Sequence, residues 1–231
     1  MPKVPPKAAL ANMGFRVLLC NWLLVVLAFA ASAAPAGEPL RIVVLGDSLV
    51  AGFGIKPSEA FPAQLERALK ERGHAVEVIN AGVSGDTTAG GLERVLWAVP
   101  ERTGAVILEL GANDALRGLD PVRAKANLDK IIVALKASGA EVLLAGMLAP
   151  RNMGERYTRA FDAIYPELAA KHGLILYPFF LDGVAMNAKL NLDDGIHPNN
   201  RGVAEITKNI LPSVEQLIDR DRAKQAAGTK G

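Results

Sequence analysis

Ile42-Val43-Val44-Leu45-Gly46-Asp47-Ser48-Leu49 decides how the rest of the chain is read. Its four leading apolar residues, three of them β-branched, have the length and character of a strand buried on both faces, as strands of parallel sheets are. The Gly-Asp-Ser turn behind them would present the Ser48 hydroxyl at one edge of such a sheet, where a nucleophile can act. Asp and Ser at that place are also ordinary caps for a following helix. The eight residues leave both readings open, and the segments downstream bear on the choice.

From Leu40 onward one unit recurs. Gly73, Gly104, Gly139 and Gly173, spaced 31 to 35 residues apart, each follow a helix-like segment and precede an apolar run. That spacing is the length of a βα unit, and glycine suits the left-handed residue that ends a helix. The runs are residues 75–79, 105–108, 141–144 and 174–177, and with the first strand they predict a five-stranded parallel sheet. Helices are expected over 61–72, 87–99, 121–138, 157–171 and 199–222, on apolar spacings such as Leu128, Ile131, Ile132, Leu135 and Val203, Ile206, Ile210, Val214, Leu217. The fold class is α/β.

Chemistry on such a sheet gathers at the carboxyl ends of its strands. Those ends hold Ser48, then Asn80 to Asp86, then Gly111-Ala112-Asn113-Asp114, then the loop Met147 to Gly154, and last Asp193-Asp194-Gly195-Ile196-His197-Pro198. A serine nucleophile needs a base, and the chain has three histidines. His74 and His172 stand beside Gly73 and Gly173, at helix ends expected to face solvent and at the wrong edge of the sheet. His197 alone shares an edge with Ser48. Asp194, three residues earlier, can hold its second ring nitrogen, with Asp193 the weaker alternative. A metal is not expected, since this edge has no cysteine and no second histidine. Expected oxyanion donors are the Ser48 N–H, the Gly82 N–H and the Asn113 amide, each of which is also ordinary turn chemistry.

The remainder of the chain bounds the setting. Its 231 residues, 50% hydrophobic and 22% charged, suffice for one α/β domain with a core. Three of the 26 basic residues (Lys3, Lys7, Arg16) precede Ala34 and no acid does, which leaves 23 basic against 24 acidic side chains. That balance argues against a nucleic-acid or polyanion partner. Basic residues leading into the apolar run Val17 to Ala30, closed by Ala31-Ser32-Ala33, read as a signal peptide over 1–33, with Met13 a possible true start. The run is short for a membrane span, so no stable insertion is expected after cleavage. Cys20 is the sole cysteine, and the remaining chain would carry none. Residues 34–222 form the expected domain and 223–231 a disordered tail.

Gly46-Asp47-Ser48-Leu49, Gly82 within Asn80-Ala81-Gly82, Gly111-Ala112-Asn113-Asp114 and Asp194-Gly195-Ile196-His197 together resemble the four blocks of the SGNH (GDSL) hydrolase family, in order, over about Arg41 to Pro212. The wording Gly82-Val83-Ser84-Gly85-Asp86-Thr87-Thr88 is similar to that of bacterial arylesterases and acyl-CoA thioesterase I/lysophospholipase L1. The resemblance implies a flavodoxin-like α/β/α three-layer sandwich, a Ser48-His197-Asp194 triad, and an oxyanion hole of Ser48, Gly82 and Asn113. It implies an exported esterase, periplasmic or secreted, without cofactor, acting on small-molecule acyl esters and also thioesters and lysophospholipids. Thr87, Leu116, Met147 and Ile196, in the loops flanking the site, are the substrate-binding candidates. Polysaccharide deacetylation on the same fold and a non-catalytic acyl- or glycan-binding module are the alternatives. The α/β-hydrolase reading fails, since no Gly-x-Ser-x-Gly occurs.

Overall fold

The computed structural model describes residue 1 and residues 38–228. The expected signal peptide lies outside the described residues. Five strands, β1 (Leu40–Gly46), β2 (Val76–Gly82), β3 (Ala105–Glu109), β4 (Glu141–Ala145) and β5 (Ile175–Tyr177), form one parallel sheet in the order β2-β1-β3-β4-β5. Its centre is dry because helices cover both faces: Ile42 to Leu45 and Ala105 to Leu108 are wholly buried. Each such Val, Ile or Leu contributes about 1.5–3 kcal/mol of burial free energy, which is why unbroken apolar runs replace polar alternation here.

The helices are α1 (Ser48–Ala51), α2 (Phe61–Glu71), α3 (Thr88–Ala98), α4 (Ala112–Leu116), α5 (Pro121–Ala137), α6 (Glu155–Asp162), α7 (Ile164–His172) and α8 (Asn200–Gly228). α2 packs on α8 in one layer, and α3, α5 and α7 pack side by side in the other. Among the described residues no helix is long and apolar enough to cross a membrane. The strand order reverses between β1 and β3. At that point the loops leaving the two strands turn to opposite layers and leave a crevice at their carboxyl ends, which is where open α/β sheets hold ligands.

Four local expectations are corrected. The helix expected over 157–171 is two helices: Pro166 has no N–H to give the Asp162 carbonyl and its ring crowds that turn, so α6 stops at Asp162 and α7 begins at Ile164. Gly104 does not take the left-handed conformation, which falls to Arg102 at φ 63°; a Cβ at 104 would instead lie 2.3 Å from Leu40 Cδ1. Helix α8 continues through 223–228, part of the expected disordered tail, held where Lys224 reaches the Gly139 carbonyl and Gln225 bonds Asp221 at 2.6 Å. His74 and His172 are largely covered rather than facing solvent, paired with Glu215 at 3.3 Å and Asp129 at 2.6 Å.

Candidate active site

The capping role expected of the Gly-Asp-Ser turn falls to its aspartate. Asp47 is the helix cap: its Oδ1 accepts the Leu49 N–H at 3.0 Å. Ser48 is thereby the first residue of α1, and its hydroxyl is left for other work. The partner arrives from a loop closed by Leu192 N–H on the His197 carbonyl at 2.8 Å and Gly195 N–H on the Leu192 carbonyl at 2.9 Å. Gly195, at φ 70°, makes the turn possible.

Within that loop Asp194 Oδ1 accepts the N–H groups of Ile196 and His197, each at 2.9 Å, while Oδ2 meets His197 Nδ1 at 2.7 Å. The two backbone donors, then the imidazole, pull the Asp194 carboxyl down to about 2, so it stays ionised. His197 Nε2 lies 2.9 Å from Ser48 Oγ. With Nδ1 protonated toward Asp194, Nε2 is the ring acceptor and can take the serine proton. The Phe53 ring packs 4.5 Å from the imidazole and helps hold its plane. Asp193 makes no bond to His197.

The other expected site residues converge on the same edge. Packing demands a glycine at 82, since a Cβ there would lie 2.3 Å from the Ala51 nitrogen. Its N–H donates to Asn80 Oδ1 at 2.9 Å. Asn113, on α4, donates from Nδ2 to Asp47 Oδ2 at 3.0 Å and to the Asp86 carbonyl at 2.9 Å. Both amide protons are therefore engaged at rest, and one must be released or shared for any new acceptor. Among the described residues no group of three or more His, Cys, Asp or Glu side chains could hold a metal ion.

The sequence reading missed two supports. Arg94, 5% exposed, donates to Asp86 Oδ2 (2.6 Å), the Ala81 carbonyl (2.8 Å) and the Gly46 carbonyl (2.8 Å), tying the ends of β1 and β2 to the loop before α3. A charge on the inward face of that helix was the available signal. Arg94→Met should lower stability by about 3–5 kcal/mol, because Asp86 and two carbonyls lose a buried partner; a denaturant melt reads the loss. Glu109, charged and last in an apolar strand, is the second.

Asp47 gives a pH signature. Burial raises its carboxyl from 3.8 to about 6, so the folded state binds this proton more tightly than the unfolded chain does. Its contribution therefore favours the fold in acid and is lost as pH rises from about 4 through about 6. The melting temperature of the protein minus that of Asp47→Asn should fall across that window.

Residues 44–204 match the model of the GDSL-like lipase/acylhydrolase family. The chain belongs to that family. It is 43% identical to an arylesterase of Vibrio mimicus over 174 residues, 75% of this chain and 86% of the relative. It is 37% identical to the thioesterase 1/protease 1/lysophospholipase L1 of Escherichia coli (strain K12) over 211 residues, 91% of this chain and 98% of that one. The crystal structure of TesA superposes with a TM-score of 0.73 at 38% identity, covering 77% of this chain and 99% of that chain.

Set on this GDSL-like scaffold, the substrate-binding candidates fall into different surroundings. Thr87 caps α3 through a bond from the Gly90 N–H at 3.4 Å. Leu116 and Ile196 are 51% and 48% exposed, whereas Met147 is 2% exposed and packs inward, its neighbour Leu148 reaching the surface instead. Phe53, Val83, Leu119, Leu148 and Ile196, on loops leaving the carboxyl edge, and Leu116 at the end of α4 are all exposed. An apolar rim of this kind suits a hydrophobic ligand.

Proposed function

We propose that this protein is an exported serine esterase that hydrolyses carboxylic esters of aryl alcohols and short-to-medium acyl groups, and also acyl thioesters and lysophospholipids, through an acyl-enzyme on Ser48. The observation that carries the reading is the continuous chain Ser48 Oγ, His197 Nε2 (2.9 Å), His197 Nδ1, Asp194 Oδ2 (2.7 Å). Ser48 attacks the ester carbonyl while Nε2 takes its proton; Asp194 steadies the imidazolium so formed. His197 then gives the proton to the leaving alcohol or thiol. Water, deprotonated by the same nitrogen, attacks the acyl-serine and frees the acid. The tetrahedral oxyanion is met by the N–H groups of Ser48 and Gly82 and by Asn113. The apolar rim favours acyl esters over a polysaccharide, whose hydroxyls would ask for polar partners. An intact Ser–His–Asp chain has no use in a binding module. Export rests on the composition of residues 1–33, and N-terminal sequencing of the mature protein tests it.

The test of function is a hydrolysis profile over p-nitrophenyl esters from acetyl to palmitoyl, with palmitoyl-CoA and a lysophospholipid alongside. Turnover of none of them by folded protein would sink the reading. Asn113 supplies a sharper check. Asn113→Ala should lower kcat by about 10²–10³ with KM nearly unchanged, because an oxyanion donor acts chiefly in the transition state. If its bonds to Asp47 and Asp86 merely close the turn, the melting temperature will fall while kcat of the folded enzyme stays within a few-fold.

A further inference from the structure

Strand β3 ends on a residue its apolar run does not call for. Glu109 is fully buried, its carboxyl lodged under the Gly46-Asp47-Ser48 turn. A Cβ on Gly46 would lie 2.6 Å from Glu109 Oε2, so glycine at 46 leaves the space that the carboxyl fills. Oε2 accepts the Asp47 N–H at 3.3 Å, and among the described residues Oε1 meets no donor. Arg94, the buried guanidinium of this edge, is committed to Asp86 and to the carbonyls of Gly46 and Ala81.

We propose that Glu109 is a positioning residue for the reaction: its acid O–H donates to the Asp47 carboxylate, and Asp47 in turn sets the Asn113 amide toward the oxyanion. The inference rests on the esterase reading above. A carboxyl buried with one long hydrogen bond and no cation keeps its proton, since burial and the neighbouring Asp47 charge both disfavour ionisation. The pair then carries one negative charge where two would otherwise sit beneath the developing oxyanion. Sharing a proton also weakens Asp47 as an acceptor, so Asn113 can turn an N–H from Asp47 Oδ2 to the oxyanion. The charged and titratable groups facing this pair are His197 from the last loop, Asp86 from the loop before α3 with its partner Arg94 from within α3, and Tyr165 from α7, itself faced by Asp114 of α4.

Glu109→Ala should lower kcat on a p-nitrophenyl ester by about 10–100-fold with KM within about twofold, as expected for a misplaced group at the reacting centre. Glu109→Gln keeps a donor toward Asp47 without a titrating proton. It should recover kcat to within about threefold and lose the alkaline fall in kcat that ionisation of Glu109 imposes on the wild type. Infrared spectra near pH 8 should show a protonated-carboxyl band that Glu109→Gln removes. The Asn113 side-chain amide resonances should move in Glu109→Ala and stay in Glu109→Gln. A folded Glu109→Ala with wild-type kcat, a Glu109→Gln as slow as Glu109→Ala, or absence of the band overturns the assignment. Should Glu109→Ala not fold, the pH profile of Glu109→Gln and the infrared band decide. The spectroscopic arms need no turnover, so a wild type inactive on every ester would end the esterase reading while the band still judges Glu109.

Discussion

Ser48→Ala is expected to lower kcat for ester hydrolysis by roughly 10⁵–10⁶ and to abolish labelling by a fluorophosphonate, since among the described residues no other hydroxyl is placed on His197. The fold should survive. Ala is a good first residue for a helix, and the cap that starts α1 belongs to Asp47, whose bond to the Leu49 N–H does not involve the serine side chain. The melting temperature should therefore stay within a few degrees of wild type. Adding His197→Ala should cost almost nothing more, because the two groups act as one unit and the first loss removes the reaction both serve. Stoichiometric labelling of Ser48→Ala, read by mass spectrometry, would move the nucleophile elsewhere.

Asp194→Asn is expected to lower kcat by about 10⁴ with the loop intact. The asparagine Oδ1 can still accept the N–H groups of Ile196 and His197, which the carboxylate now receives at 2.9 Å each, so the turn is kept. At Oδ2, however, an NH₂ group would replace the acceptor facing His197 Nδ1. The imidazole must then accept at Nδ1 and carry its proton on Nε2, where it cannot take one from Ser48. The loss should appear in kcat rather than KM. Imidazole ¹⁵N shifts in the resting enzyme would report the exchanged tautomer, and unchanged shifts with wild-type kcat would remove Asp194 from the role.

Why these residues were legible in advance, and others were not, comes down to locality. His197 and Asp194 stand three apart in one loop, and Ser48 follows directly on the most apolar strand, so sequence neighbourhood carries their relation. The competing histidines stand at the amino edge, where glycine-ended helices place them, although the hydrogen bonds of His74 and His172 with Glu215 and Asp129 were not foreseeable. Those partners lie 141 and 43 residues away. Likewise the break at Ala163 was written in Pro166, a local signal that the helical periodicity of the segment obscured. Met147 carries the opposite lesson: an apolar residue in an edge loop packs inward or outward according to its neighbours in space, which periodicity does not reach.

The sequence by itself determined the α/β class, the five parallel strands, and the edge on which Ser48, Gly82, Asn113, Asp194 and His197 collect. Those features follow from short-range chemistry: apolar run length, glycine-punctuated spacing and the alternation of strand with helix. The strand order β2-β1-β3-β4-β5 entered only through family resemblance, and the tertiary structure alone decided which polar groups share hydrogen bonds inside it. That Asn113 has both amide protons engaged, that Arg94 binds the ends of two strands, and that Glu109 lies under the Gly46-Asp47-Ser48 turn all depend on residues 13 to 66 positions apart meeting in a dry interior. There the cost of an unpaired polar group makes each partner choice decisive, and a cost that arises only on burial is not written in any local stretch of the chain.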